Sequence, residues 1–152
     1  DGNPLVMANI LTTTTGAEPD VTCLAGDGFI KGDAGGTPFV FSVSPGRIYE
    51  TGDFATDAAA FTWNGSTVFA ALCTTLERNS RLLVRSEIPV TCEVSSEGMK
   101  FCLSEESEVA LGVQSKPGSI TVNGKRVTEF RYDAEIKAVV ITLPAGEGMI
   151  NF

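Results

Sequence analysis

Three arginines in nine residues, Arg78, Arg81 and Arg85 in the stretch ERNSRLLVR, are the only local concentration of positive charge in the chain. A guanidinium fork matches a carboxylate or sulfate, so this unit can clamp an acidic group such as a uronate. The competing reading is a solvated face that balances nearby acids. Trp63, the one tryptophan, sits beside Asn64-Gly65. An exposed indole there would offer a flat face for stacking a sugar ring, whereas a buried one would simply fill core. Tyr49 stands with Arg47, Glu50 and Asp53 in a stretch without clear periodicity, the kind of loop that carries binding residues on a rigid scaffold. Its alternative is a plug in the core.

Asp27, Asp33, Asp53 and Asp57 fall in or beside glycine-rich turns. Asp27 and Asp33 are the candidates for a structural calcium, which takes several oxygen ligands, although their spacing lacks the alternating acids of a helix-loop-helix calcium site. No cofactor is otherwise required. The same acids would serve a glycosidase only as a pair roughly 5–9 Å apart. Ordinary turn chemistry also accounts for them. Asn64-Gly65-Ser66 matches a glycosylation sequon, but Asn-Gly in a hairpin turn needs no such explanation.

The chain has no histidine. The commonest general base and the commonest metal ligand are therefore missing, and every triad or dyad that uses imidazole is excluded within these residues. The net charge of −8 argues against a nucleic-acid partner, whose phosphates demand a basic footprint. The four cysteines, Cys23, Cys73, Cys92 and Cys102, fit no metal-binding spacing. Reflecting residues 92–102 about Glu97 sets Cys92 opposite Cys102, so a cross-strand disulfide is geometrically allowed; four reduced, buried thiols are the other reading.

The elements that must position these residues read as strands throughout. Residues 119–122 lead into Asn123-Gly124, a strong hairpin signal, and the return strand covers residues 125–132. Residues 136–143 (IKAVVITL) are apolar on both parities, as in a central strand covered on both faces. Residues 149–152 close the sheet after Pro144-Ala145-Gly146. Earlier in the chain, residues 5–15 form the first strand, and Glu18-Pro19-Asp20 turns it. Residues 21–25 and 28–31 follow as short strands. Residues 38–44 place Phe39, Phe41 and Val43 on one face. Residues 47–56 read as the longest irregular region. Residues 58–63 and 67–76 flank the Asn64-Gly65 turn, with shorter strands over 82–85, 89–94, 99–103 and 109–113.

About twelve or more short strands, with turns every ~8–12 residues, predict an all-β fold, an antiparallel sandwich. The length of 152 residues suits one domain. No run approaches the ~18 apolar residues of a membrane span. The opening Asp1-Gly2-Asn3-Pro4 carries no signal peptide and reads as a piece taken from the C-terminal end of a larger protein.

Five pieces share a cadence: Thr56-Asp57-Ala58, Thr75-Leu76, Ser86-Glu87-Ile88-Pro89-Val90, Val122-Asn123-Gly124 and Leu143-Pro144-Ala145-Gly146. Over roughly the last two thirds of the chain they resemble the β-sandwich that follows the catalytic domain in heparinase II/III-like polysaccharide lyases. That resemblance implies a secreted, cell-surface or periplasmic accessory domain of a polysaccharide-degrading enzyme, partnered by its parent catalytic domain and by polysaccharide, including acidic polysaccharide. The family's catalytic Tyr, His and Asn lie mainly on the helical domain, so no catalytic residue carries over. A structural or cell-surface interaction sandwich without a sugar site is the alternative, and a carboxylate-only glycosidase is the third reading.

Overall fold

The computed structural model describes residues 21–152 except 27, 43 and 45. The strand over residues 5–15, the Glu18-Pro19-Asp20 turn, Asp27 and Val43 lie outside the described residues. Every regular element among those described is a strand: β1 (Val21–Gly26), β2 (Phe29–Ala34), β3 (Thr37–Ser42), β4 (Tyr49–Thr51), β5 (Phe54–Thr56), β6 (Ala60–Asn64), β7 (Thr67–Arg78), β8 (Arg81–Ser95), β9 (Gly98–Leu103), β10 (Ser107–Gly112), β11 (Ile120–Val122), β12 (Lys125–Val127), β13 (Arg131–Asp133), β14 (Ala138–Leu143) and β15 (Gly146–Asn151). The all-β expectation holds. The fifteen strands form one continuous antiparallel sheet rather than two separate ones.

Two long strands create that continuity. The N-terminal part of β7 and the C-terminal part of β8 lie in the path β1-β2-β3-β6-β7-β8-β9-β15-β11-β12. Their other ends join β4-β5 on one side and β10-β14-β13 on the other. Along β8, Val84 to Ser86 pair with β10, and Val90 to Ser95 pair with β9. Pro89 falls between the two pairings, where its missing N–H interrupts no ladder. Residues 82–85 and 89–94, expected as two strands, are therefore one.

Period-two alternation decides what faces inward. Val68, Ala70, Cys92, Met99, Phe101 and Ile150 from one half share a single buried cluster with Leu76, Val84, Val109, Leu111, Val139 and Ile141 from the other. In β3 the inward residues are Val40 and Ser42, while Phe39 and Phe41 share the opposite face with ring centroids 5.5 Å apart. β14 is buried at every position but Thr142, as its apolar run predicts.

The turns follow local chemistry. Asn123 (φ 52°) and Gly124 (φ 74°) supply the two positive φ angles of a tight hairpin between β11 and β12. Asn79 (φ 50°) and Ser80 (φ 59°) do the same between β7 and β8, where Arg78 pairs with Arg81. The return strand after Gly124 breaks into β12 and β13. Residues 47–56, expected to be irregular, contain the small hairpin β4–β5.

One-residue differences in register matter most at the cysteines. The β8–β9 hairpin closes with Ser95 opposite Gly98, so Cys92 pairs with Phe101 and Cys102 with Thr91. A slip of one residue reverses the face of every side chain. Cys92 is buried and Cys102 exposed, on opposite faces, so the Cys92–Cys102 bridge that the reflected register allowed does not form; the alternative of four buried thiols holds for Cys73 and Cys92 but not for the exposed Cys23 and Cys102.

Candidate functional site

The expected aromatic platform is divided between core and core edge. Tyr49 is 5% exposed, its hydroxyl donates to the Ala58 carbonyl at 3.1 Å, and its ring lies 4.7 Å from that of Phe29. Burial, then the nearby Cys73 and Asp57, push its phenol far above the ordinary range. Tyr49 is therefore a core residue and not a stacking surface. Trp63 is half-buried against Phe54 and Phe61, with centroids 5.4 and 5.3 Å away. Its indole completes an aromatic cluster under the β4–β5 turn, so Tyr49 and Trp63 make no common exposed face.

The arginines are spread as well. Arg47 is exposed, with its guanidinium 6.0 Å from the Phe29 ring centroid. Arg78 and Arg81 flank the Asn79-Ser80 turn. Arg78 donates from Nε to Asp53 Oδ2 at 2.8 Å and covers the Phe54 ring at 4.9 Å. Arg81 is exposed and sits in none of the ion pairs seen among the described residues. Arg85 lies 3.6 Å from Glu77. Across the sheet, Arg85 pairs with Ala110, Ala110 with Val140, and Val140 with Arg131, which itself reaches Glu108 at 3.8 Å. Arg78 and Arg81 thus stand opposite each other at the turn, Arg85 lies farther along β8, and Arg85 and Arg131 lie on either side of Ala110 and Val140, each with its own acid.

The acids are structural. Asp33 Oδ1 accepts from the Gly36 N–H at 2.6 Å, closing the β2–β3 turn. Asp53 accepts from Arg78 and Asn79, and its carbonyl accepts from the Asn79 N–H, which ties the β4–β5 turn to the β7–β8 turn. Asp57 is 3% exposed and accepts three hydrogen bonds from Thr74 and Thr75. No group of three or more metal-ligating side chains gathers among the described residues.

Asp53 makes a testable link to pH. The hydrogen bond from Arg78 holds its carboxyl below the usual carboxylate range. A folded pKa below the unfolded value of ~3.9 contributes stability above that pH and loses it as pH falls through the folded value. The stability difference between the wild type and Asp53→Asn therefore narrows on acidification from pH 6 to pH 2. Urea titrations at each pH check this; a difference constant across the range contradicts it.

A shallow, open depression with both apolar and polar walls lies elsewhere, on the outer face of β7, β8, β9 and β15. Strand register lines up Phe69, Glu93, Lys100 and Met149 in one row, and Thr91, Cys102 and Glu147 in the next. These are the outward partners of the buried Val68, Cys92, Phe101 and Ile150, so the same alternation that fills the core builds this face. The open groove encloses about 470 Å³ and is rimmed by Asn123. Lys100 and Glu93 are paired across the strands at 2.8 Å, and Phe69 and Met149 stand exposed at the ends of that row. Asn123 Oδ1 accepts from the Met149 N–H at 2.8 Å, which fixes the rim and leaves its amide N–H groups to point elsewhere. Gly148, directly opposite Phe101, also lines the depression, and a Cβ there would run into the Phe101 ring.

Such a face can hold an extended chain by an aromatic contact and a line of hydrogen-bonding groups. Sequence reasoning missed it because residues 68–73 (VFAALC) are apolar on both parities, which hides the outward position of Phe69. No helix among the described residues is long and apolar enough to cross a membrane. Compared with models of known protein families and with curated proteins, the chain matches none.

Proposed function

We propose that this is a non-catalytic accessory module of a polysaccharide-degrading enzyme and that it contacts glycan through the outer face of β7, β8, β9 and β15. The observation that carries this reading is the groove itself, where exposed Phe69 stands in line with Glu93, Lys100 and Met149. A sugar presents both an apolar C–H face and hydroxyls, and the row offers a partner to each. The non-catalytic part rests on the lack of histidine and on the structural engagement of Asp33, Asp53 and Asp57. An acidic polysaccharide would find its cations at Lys100 or along the Arg85–Arg131 strip.

The second reading is a structural or interaction domain without a sugar site. Tyr49 and Trp63, the two aromatics best suited to stacking by type, favour it because they serve the core.

Affinity electrophoresis through gels containing neutral or acidic polysaccharides separates the two. The expected result is retardation of the wild type, weakened about tenfold in Phe69→Ala, the loss of ~1.4 kcal/mol of contact. Loss in Arg85→Ala instead, with strong sensitivity to salt, places the site on the arginine strip. No retardation in any gel, with folded proteins, overturns the glycan reading and leaves the structural one.

A further inference from the structure

We propose that the depression on the outer face of β7, β8, β9 and β15 selects an uncharged glycan chain and that Glu147 sets this choice, an inference that rests on the glycan reading above. Charge along the two rows that cross the depression is what points to it. Among the described residues, Lys100 is the one cation that lines the depression, and Glu93 and Glu147 are the acids. Lys100 Nζ already donates to Glu93 Oε1 at 2.8 Å, whereas Glu147 enters none of the ion pairs seen among the described residues. Glu147 pairs with Cys102, and Lys100 with Met149. Glu147 therefore stands diagonally across from Lys100, roughly 7–8 Å away along the backbone, so the lysine lies between two carboxylates.

This arrangement leaves one net negative charge and no cation to spare. A uronate or sulfate group could reach Lys100 only by displacing Glu93, and both acids would then face the incoming anion. Like charges brought that close oppose binding. A neutral sugar meets no such penalty. Its hydroxyls can donate to the Glu147 carboxylate, and a hydrogen bond to an ionised acceptor is roughly twice as strong as one between neutral groups.

The apolar part of the face is held open by the backbone. Between the Ala70–Cys92 and Cys73–Val90 pairings, two residues of β7, Ala71 and Leu72, oppose the single Thr91, which makes a β-bulge. Leu72 has φ 53°, its N–H donates to Thr91 Oγ1 at 3.2 Å beside the depression, and it is 57% exposed. A left-handed backbone is costly for a bulky residue, and so is a leucine left in water. The bulge thus adds apolar surface next to exposed Phe69, with Met149 at the far end of the same row. An uncharged sugar chain offers C–H faces to such a surface, whereas a chain charged on every ring must strip water from those charges to use it.

The test uses gels carrying a neutral polysaccharide (galactomannan or xyloglucan) or an acidic one (polygalacturonate or alginate) at low ionic strength, with each mobility referred to a gel without polysaccharide. The wild type should be retarded more by a neutral gel than by either acidic one. Glu147→Gln should weaken neutral retention about fivefold, since an amide oxygen accepts without the charge. Glu147→Lys should weaken it at least as much and gain retention in the acidic gels. Because the whole chain carries −8, the control is Glu135→Lys, the same change of net charge at the exposed β13–β14 turn, which should do neither. Wild-type retention that is stronger in an acidic gel overturns the neutral preference, and its loss in Phe69→Ala would show that the glycan site itself stands. Neutral retention unchanged in Glu147→Gln overturns the role of Glu147. No retention in any gel overturns the glycan reading, and this inference with it.

Discussion

Asp57→Ala should lower the unfolding free energy by about 3–4 kcal/mol, a large share of what a domain of this size has. The carboxylate is buried next to the β7 backbone. Oδ1 accepts from the N–H groups of Thr74 and Thr75 at 2.8 and 2.9 Å, and Oδ2 accepts from Thr74 Oγ1 at 2.6 Å. Alanine would leave two backbone donors and a hydroxyl facing a dry space, each costing about 1–3 kcal/mol where water cannot reach it. Partial exposure of the threonines holds the total near the lower end. Asp57→Asn should cost roughly half as much, because an amide oxygen can still accept the two N–H bonds and its NH₂ can donate to the hydroxyl. Urea midpoints with unchanged slope measure both. Equal losses in the two variants would mean that charge, not acceptor geometry, is what the site requires.

Gly112→Ala is the second large effect, at about 3 kcal/mol. Gly112 ends β10, where β8 carries an extra residue relative to β7 between Leu82 and Val84. A Cβ at Gly112 would stand 1.7 Å from the Leu82 carbonyl oxygen and 2.7 Å from its carbon. The obstacle is backbone in a central strand, so neither a rotamer change nor the far end of a side chain can relieve it. Gly118→Ala, with open space around its missing Cβ, is the matched control and should change stability little. A Tm for Gly112→Ala within a degree or two of the wild type would show that β8 can shift at this point.

What the chain discloses before folding tracks how local each cause is. Asn123-Gly124 marks its hairpin because both residues tolerate positive φ, a property of two adjacent positions. β14 announces itself because all but one of its side chains need cover. The cysteine hairpin was misread by one residue, since Ser96-Glu97-Gly98 admits a two- or a three-residue turn and cysteine suits either face. Tyr49 and Trp63 looked like ligand platforms by residue type, but aromatic rings serve core and surface alike, and only tertiary packing assigns them. Asp57 was visible as one of several turn acids. Its role depends on Thr74 and Thr75, which reach it only once β7 is in place. The groove at Phe69 needed four strands in register, which no local pattern encodes.

The passage of β7 and β8 through both halves of the sheet also governs how the domain comes apart. Neither half owns a complete set of strands, because each borrows one end of the same two chains. Peeling β10 and β14 away strips cover from β8, and the exposed segment runs directly into the part that holds β9. The halves are thus not separable melting units, and free energy added at one end is shared with the other. A ligand that binds the outer face near Lys100 should therefore raise the melting temperature of the whole domain in a single transition, the Arg85 end included.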